Sequence, residues 1–167
     1  KSLLRHKECI SSLEDMSLGS SFHRVLWDND DVRLDGHLKE ADKIRRVVMC
    51  SGKIYYDLSK ARNEAGLNDV YIMRIEQLYP YPETAVKQML SGFPQAEMIW
   101  CQEEPKNMGA WTFIEPYLEQ TLLSIDAKHT RPVYSGRVAS ASTATGLMAR
   151  HQAEMESFMN DALGLSA

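Results

Sequence analysis

The 167-residue sequence has no excess of positive charge: 19 Lys and Arg against 23 Asp and Glu leave a net −4. It therefore carries no basic field to attract a nucleic-acid backbone, and any phosphate recognition would need a local basic pocket. It also lacks an apolar run near the roughly 20 residues that span a bilayer. Cysteines number three, Cys9, Cys50 and Cys101, and share no metal-ligand spacing. Cys50 and Cys101 each end an apolar run, which predicts small buried thiols in a reducing compartment. Neither a glycine-rich dinucleotide fingerprint nor a nucleophile elbow is present. The chain opens "KSLLRHK", without an initiator methionine or the apolar core of a signal peptide, so a piece of a longer protein is expected.

With 44% hydrophobic and 25% charged residues, the composition is that of an ordinary globular domain. Residues 1–45 read as irregular. Ser11 and Glu14 offer a capping box, and Gly19 ends any helix soon after. "SFHRVLWD" reads as a strand or an extended linker. "DNDDVRLDGHLKEADK" is acidic enough to suggest calcium. Counted from Asp28, however, the sixth position is Arg33 where a calcium loop needs glycine, so a solvated loop is expected. From residue 46 strand and helix patterns alternate: "RVVMC", a helix closed by Gly66, "DVYIMRIEQL", a helix opened by Pro82 and Glu83, and "AEMIWCQEE". Next comes a helix with Ile114, Leu118 and Leu122 on one face, where Pro116 implies a kink or a later start. "RPVYSGRV" is a fourth strand of this series or an extended segment, and a last helix spans about 145–163. Its apolar stripe is Met148, His151, Met155, Phe158, Met159 and Ala162. This order predicts an α/β domain, a mostly parallel sheet with helices on both faces, over residues 46–167.

Ligands of such sheets bind beyond the carboxyl ends of the strands. Those ends are residues 51–53, 76–80, 102–107 and 136–142, where the richest chemistry falls. "CSGK" lacks the first glycine of a phosphate loop and has Ile54 in place of its hydroxyl. It remains either a weak anion site of Ser51 and Lys53 at a helix start or a tight turn with an exposed lysine. Glu103 and Glu104 are adjacent carboxylates, but neighbours on a strand point to opposite faces, which argues against a shared-proton dyad unless the strand has already broken there. His151 reads as a core or interface histidine. His6 lies in a basic cluster with Arg5 and Lys7 that is a solvated face or one wall of an anion pocket. No catalytic set or metal set emerges, and the residues alone point to a binding or assembly domain.

The motifs "KSLLRH", "RVVMCSGKIYYDL", "RIEQLYPYP", "WCQEEPKNMGAW" and "GRVASASTATG" followed by histidine occur in order along the chain. In them the sequence resembles the C-terminal domain of the 2-oxoglutarate dehydrogenase family; residues 13–45 resemble it least. The resemblance implies a transketolase C-terminal-like three-layer fold, preceded by an irregular lead-in over residues 1–45 that continues from upstream domains. It implies an oxidoreductase of the citric acid cycle that decarboxylates 2-oxoglutarate on thiamine diphosphate and magnesium, both held mainly by domains outside this chain. The succinyl group then passes to a lipoyl group of the dihydrolipoyl succinyltransferase component. This piece is expected to be inactive alone, to hold no cofactor or metal, and to contact its own upstream domains and a homodimer partner, with no nucleic acid or membrane involved. Some bacterial members respond to acetyl-CoA or AMP. By motif, Arg5, Ser51, Lys53, Gln102 and Arg137 are the residues expected to meet such an effector. The compartment implied is the bacterial cytoplasm, or the mitochondrial matrix of a eukaryote. Two further readings stay open: a stand-alone nucleotide-binding regulatory or adaptor domain of the same fold, and a dimerisation domain without a ligand.

Overall fold

The computed structural model describes residues 3–34 and 36–165. Five strands form one sheet: β1 (Val25–Leu26), β2 (Arg46–Cys50), β3 (Val70–Ile75), β4 (Glu97–Gln102) and β5 (Val133–Gly136), in the order β1-β3-β2-β4-β5. β2 to β5 are parallel, and β1 runs antiparallel along the β3 edge. The helices are α1 (Ile54–Glu64), α2 (Glu83–Leu90), α3 (Trp111–Ser124) and α4 (Met148–Leu163). This is the expected α/β architecture with a mostly parallel sheet.

Strand alternation divides the core. Val47, Met49, Met98 and Trp100 face α2 and α3, where Val86, Leu90, Ile114 and Leu118 meet them. Val48, Cys50, Ile99 and Cys101 face α1 and α4, against Tyr55, Leu58, Phe158 and Ala162. Covered on both faces, the central strands are apolar at successive positions. Cys50 and Cys101 are fully buried and Cys9 is exposed. Burial raises both inner thiols well above the usual cysteine value, so they stay protonated and unreactive.

The end of α4 shows how the sheet fixes a helix. Gly164 takes a left-handed conformation, φ 70°. Arg45 Nη2 donates to the Leu163 carbonyl at 3.0 Å, and Arg46 Nη1 to that of Asp161 at 2.8 Å. Two guanidinium groups thus meet the orphan carbonyls and the negative end of the dipole. The left-handed φ favours glycine, and a Cβ there would lie 2.7 Å from Arg45 Nη1 and 2.8 Å from Arg46 Nη1, pushing those side-chain ends aside.

Several local expectations change. The reciprocal cap sits one residue later: Ser12 N donates to Asp15 Oδ2 at 2.9 Å and Asp15 N to Ser12 Oγ at 3.2 Å, without Ser11 or Glu14. α3 starts at Trp111 and runs through Pro116, which lies on its exposed side. Met148, placed on the apolar stripe of α4, is 71% exposed.

The largest correction concerns the acidic loop, which is not simply solvated. Asp28 and Arg62 are both fully buried and paired through both guanidinium nitrogens, Arg62 Nη2 also reaching Asp30. Asp28 Oδ2 accepts the Ile72 amide at 2.7 Å, taking the place of a strand beside β3 where the two-residue β1 has ended. Tyr71 donates to Asp31 Oδ2 at 2.8 Å and accepts the Asp28 amide at 3.1 Å. Arg33 binds Asp31 through two contacts, at 2.9 and 2.5 Å, and holds its carboxyl down to about 2.

Two outcomes follow for stability. Arg62→Met leaves Asp28 buried without a partner and should cost about 3–5 kcal/mol, while the double change with Asp28→Leu recovers part of it; urea unfolding measures both. The Asp31 carboxyl, lowered in the fold, contributes its stabilisation above the ordinary aspartate range near pH 4 and loses it as pH falls through about 2. Acid unfolding of Asp31→Asn should therefore trail the parent by about 2 kcal/mol at pH 5, the gap closing toward pH 2.

Candidate functional site

The carboxyl ends of β2, β4 and β5 lie side by side, because Met49 pairs with Trp100 and Gln102 with Gly136. Parallel pairing alone therefore gathers Ser51, Gln102 and Arg137 along one edge. Ser51 and Gln102 line one open cavity of about 450 Å³, together with Leu78, Tyr79 and Phe113.

Gln102 is 4% exposed, and its amide is fully engaged. Oε1 accepts from Trp100 Nε1 at 2.9 Å and from the Trp111 amide at 3.0 Å. Nε2 donates to the carbonyl of Met108 at 2.8 Å, with those of Glu104 and Pro105 at 3.2 and 3.3 Å. One side chain thus closes the loop between β4 and α3. Gly109, at φ 66°, makes room for it; a Cβ there would come within 2.9 Å of Nε2.

Lys53, at the start of α1, is ion-paired with Asp57 and lies 3.5 Å from Glu103 Oε1. Burial works against its charge, but those two carboxylates outweigh burial and raise its pKa. β4 ends at Gln102, before both glutamates; in the loop that follows, Glu103 turns to Lys53 at the start of α1, while Glu104 lines the Ser51 cavity. Arg5 is exposed on a short 3₁₀ turn (Leu3–Arg5), with no ion pair or hydrogen bond among the described residues. That turn is held near α1 by His6, whose ring stacks on Tyr56 at 4.4 Å. Arg137 is 9% exposed and belongs to a different group: Nη2 donates to His151 Nδ1 at 2.5 Å and Nε faces Glu154 Oε2 at 3.3 Å. The structure therefore brings Ser51 and Gln102 together and sets Lys53, Arg5 and Arg137 in separate surroundings.

Residues 10–163 match the family model described as 2-oxoglutarate dehydrogenase C-terminal. The chain belongs to that family. It is 58% identical over 166 residues, 98% of its length, to the 2-oxoglutarate dehydrogenase E1 components of Brucella anthropi and Brucella ovis. It spans 17% and 16% of those relatives.

Sequence reasoning missed one edge residue of this 2-oxoglutarate dehydrogenase C-terminal domain. Arg74 pairs in register with Cys50, and its guanidinium lies over the Tyr55 ring at 4.1 Å. Its Nε is buried without a hydrogen-bond partner among the described residues. The available signal was an arginine inside the otherwise apolar "VYIMRI". The described residues hold no group of three His, Cys, Asp or Glu able to bind a metal. No helix among them is long and apolar enough to cross a membrane.

Gln102→Leu strands two donors and three carbonyls inside the loop and should destabilise the domain by about 2–4 kcal/mol. Chemical unfolding measures the loss. Gln102→Glu, which keeps an acceptor and discards the donor, should fall between the parent and the leucine variant.

Proposed function

We propose that this chain is the C-terminal domain of a 2-oxoglutarate dehydrogenase E1 component, one that decarboxylates 2-oxoglutarate and transfers succinyl to lipoyl groups of the dihydrolipoyl succinyltransferase component. The observation that carries the reading is 58% identity over nearly the whole chain to proteins bearing that name. Thiamine diphosphate and magnesium belong to domains upstream, and the domain alone has no turnover. Residues 1–45 lead in from those domains and contribute β1 to the sheet. Leu4, Ile10, Leu13, Leu18 and Phe22 are 70–106% exposed along that lead-in, apolar surface of the kind an adjoining domain or a homodimer partner would cover. Bacterial relatives support a cytoplasmic setting.

The carboxyl edge serves regulation by acetyl-CoA or AMP. Arg5 and Lys53 supply charge, Ser51 and Arg137 supply donors, and Gln102 acts through the loop it closes. The two carboxylates beside Lys53 must yield to an incoming phosphate, so the effector competes with an internal ion pair. In the full-length enzyme, Arg5→Ala and Lys53→Ala should each raise the effector concentration at half-response about tenfold; an unchanged response in both variants counts against the site. The same turnover assay, run on the isolated domain with thiamine diphosphate and magnesium, should read zero.

A further inference from the structure

The first half of α4 is held to the sheet by polar side chains. The buried residues of α4 are Met155, Phe158, Ala162 and Leu163; none before Met155 is buried, and Met148 is 71% exposed. In that stretch His151 and Glu154 are half-buried, three residues apart on one side of the helix. Both face Arg137, which follows β5 and is 9% exposed. We propose that Arg137, His151 and Glu154 form a proton-operated clasp between the sheet and α4, closed while the imidazole is neutral and opened when it takes up a proton.

Donor chemistry sets the closed state. Arg137 Nη2 lies 2.5 Å from His151 Nδ1. A guanidinium has donors and no acceptor, so Nδ1 must offer its lone pair and the ring must be neutral. A proton on Nδ1 would set two donors against each other and two cations side by side. Arg137 Nε and Glu154 Oε2 stand 3.3 Å apart, yet each is buried without an aligned hydrogen bond. The guanidinium thus gives its better contact to the imidazole, although a carboxylate is the stronger acceptor. Once protonated, the ring competes for Glu154 on its own helix, and Arg137 loses its hold on α4. Imidazoles ordinarily titrate at about pH 6.5, so the clasp is shut above that range and opens as pH falls through it.

The neighbouring charges are fixed. Arg150, on α4, donates to Glu154 Oε1 at 2.8 Å and stays a cation. Lys53, Asp57 and Glu103, at this end of α1 and β4, pair with one another. Cys50 and Cys101 face α4 and α1 from β2 and β4 as thiols that burial keeps protonated. Of these groups, the imidazole is the one whose ordinary range lies near neutral pH. Opening also has a defined extent. The Arg137 carbonyl stays bound by the Lys106 amide at 3.0 Å and the Tyr134 hydroxyl at 2.8 Å. The far half of α4 stays held by Ser135 Oγ, which donates to the Phe158 carbonyl at 2.7 Å, and by Arg45 and Arg46. The stretch released is residues 138–154, which includes most of the motif "GRVASASTATG" and its following histidine. The clasp needs no ligand and does not rest on the effector reading.

The test follows amide hydrogen exchange in the full-length protein at about pH 7.5 and about pH 5.5, either side of the imidazole range, corrected for the intrinsic pH dependence of exchange. Protection in the first half of α4 should fall about tenfold at the lower pH while α2 keeps its own. His151→Asn retains a neutral acceptor near the place of Nδ1 and takes no proton, so its α4 should exchange alike at both pH values. Crystals grown at the two pH values should show Arg137 Nη2 within hydrogen-bond distance of His151 only at the higher. Unchanged protection in the parent, an equal loss in α2, the same loss in His151→Asn, or an intact contact at the lower pH overturns the clasp.

Discussion

The buried pair of Asp28 and Arg62 sets the constraints on the rest of the domain. Two opposite charges with no solvent exposure are stable only when each has its full complement of partners, because desolvation otherwise outweighs their attraction. Here the partners are structural. Asp28 takes the Ile72 amide, and Arg62 also donates to the Val70 carbonyl at 3.2 Å. The pair therefore ties α1 to β3 and ties the lead-in segment to both. It ends β1 after two residues yet keeps the edge of β3 satisfied with a side chain instead of a strand.

That tie reaches the functional edge. With α1 fixed along the sheet, its first turn brings Lys53 beside Glu103 and sets Tyr55 beneath Arg74. Across the edge Gln102 does similar work for the loop between β4 and α3, closing it from within rather than presenting an amide outward. Lys53, Gln102 and Arg137 at this end of the sheet are thus already committed to internal partners. A ligand meeting these side chains would have to displace those partners.

The chain belongs to the 2-oxoglutarate dehydrogenase C-terminal family. The chain spans about a sixth of its relatives. The buried thiols are held protonated, and Glu103 and Glu104, just past the end of β4, sit in separate surroundings.

Much of the fold was legible from residue order because β2 to β4 are buried on both faces and read as unbroken apolar runs, with helices set at 3.6-residue spacing between them. The ordered motifs likewise carried the family. The carboxyl edge followed from parallel pairing, so Ser51 and Gln102 could be placed near each other before any coordinates. The partners of charged side chains were not legible. Asp28 looks like any acidic loop residue until Arg62, 34 positions away, is folded against it. Met148 fits an apolar stripe but has no surface opposite. Gln102 reads as an outward amide until the loop from Glu104 to Met108 turns back onto it. Local periodicity determines which faces are buried; which polar groups go in with them depends on contacts distant in sequence, and only the tertiary structure decides those.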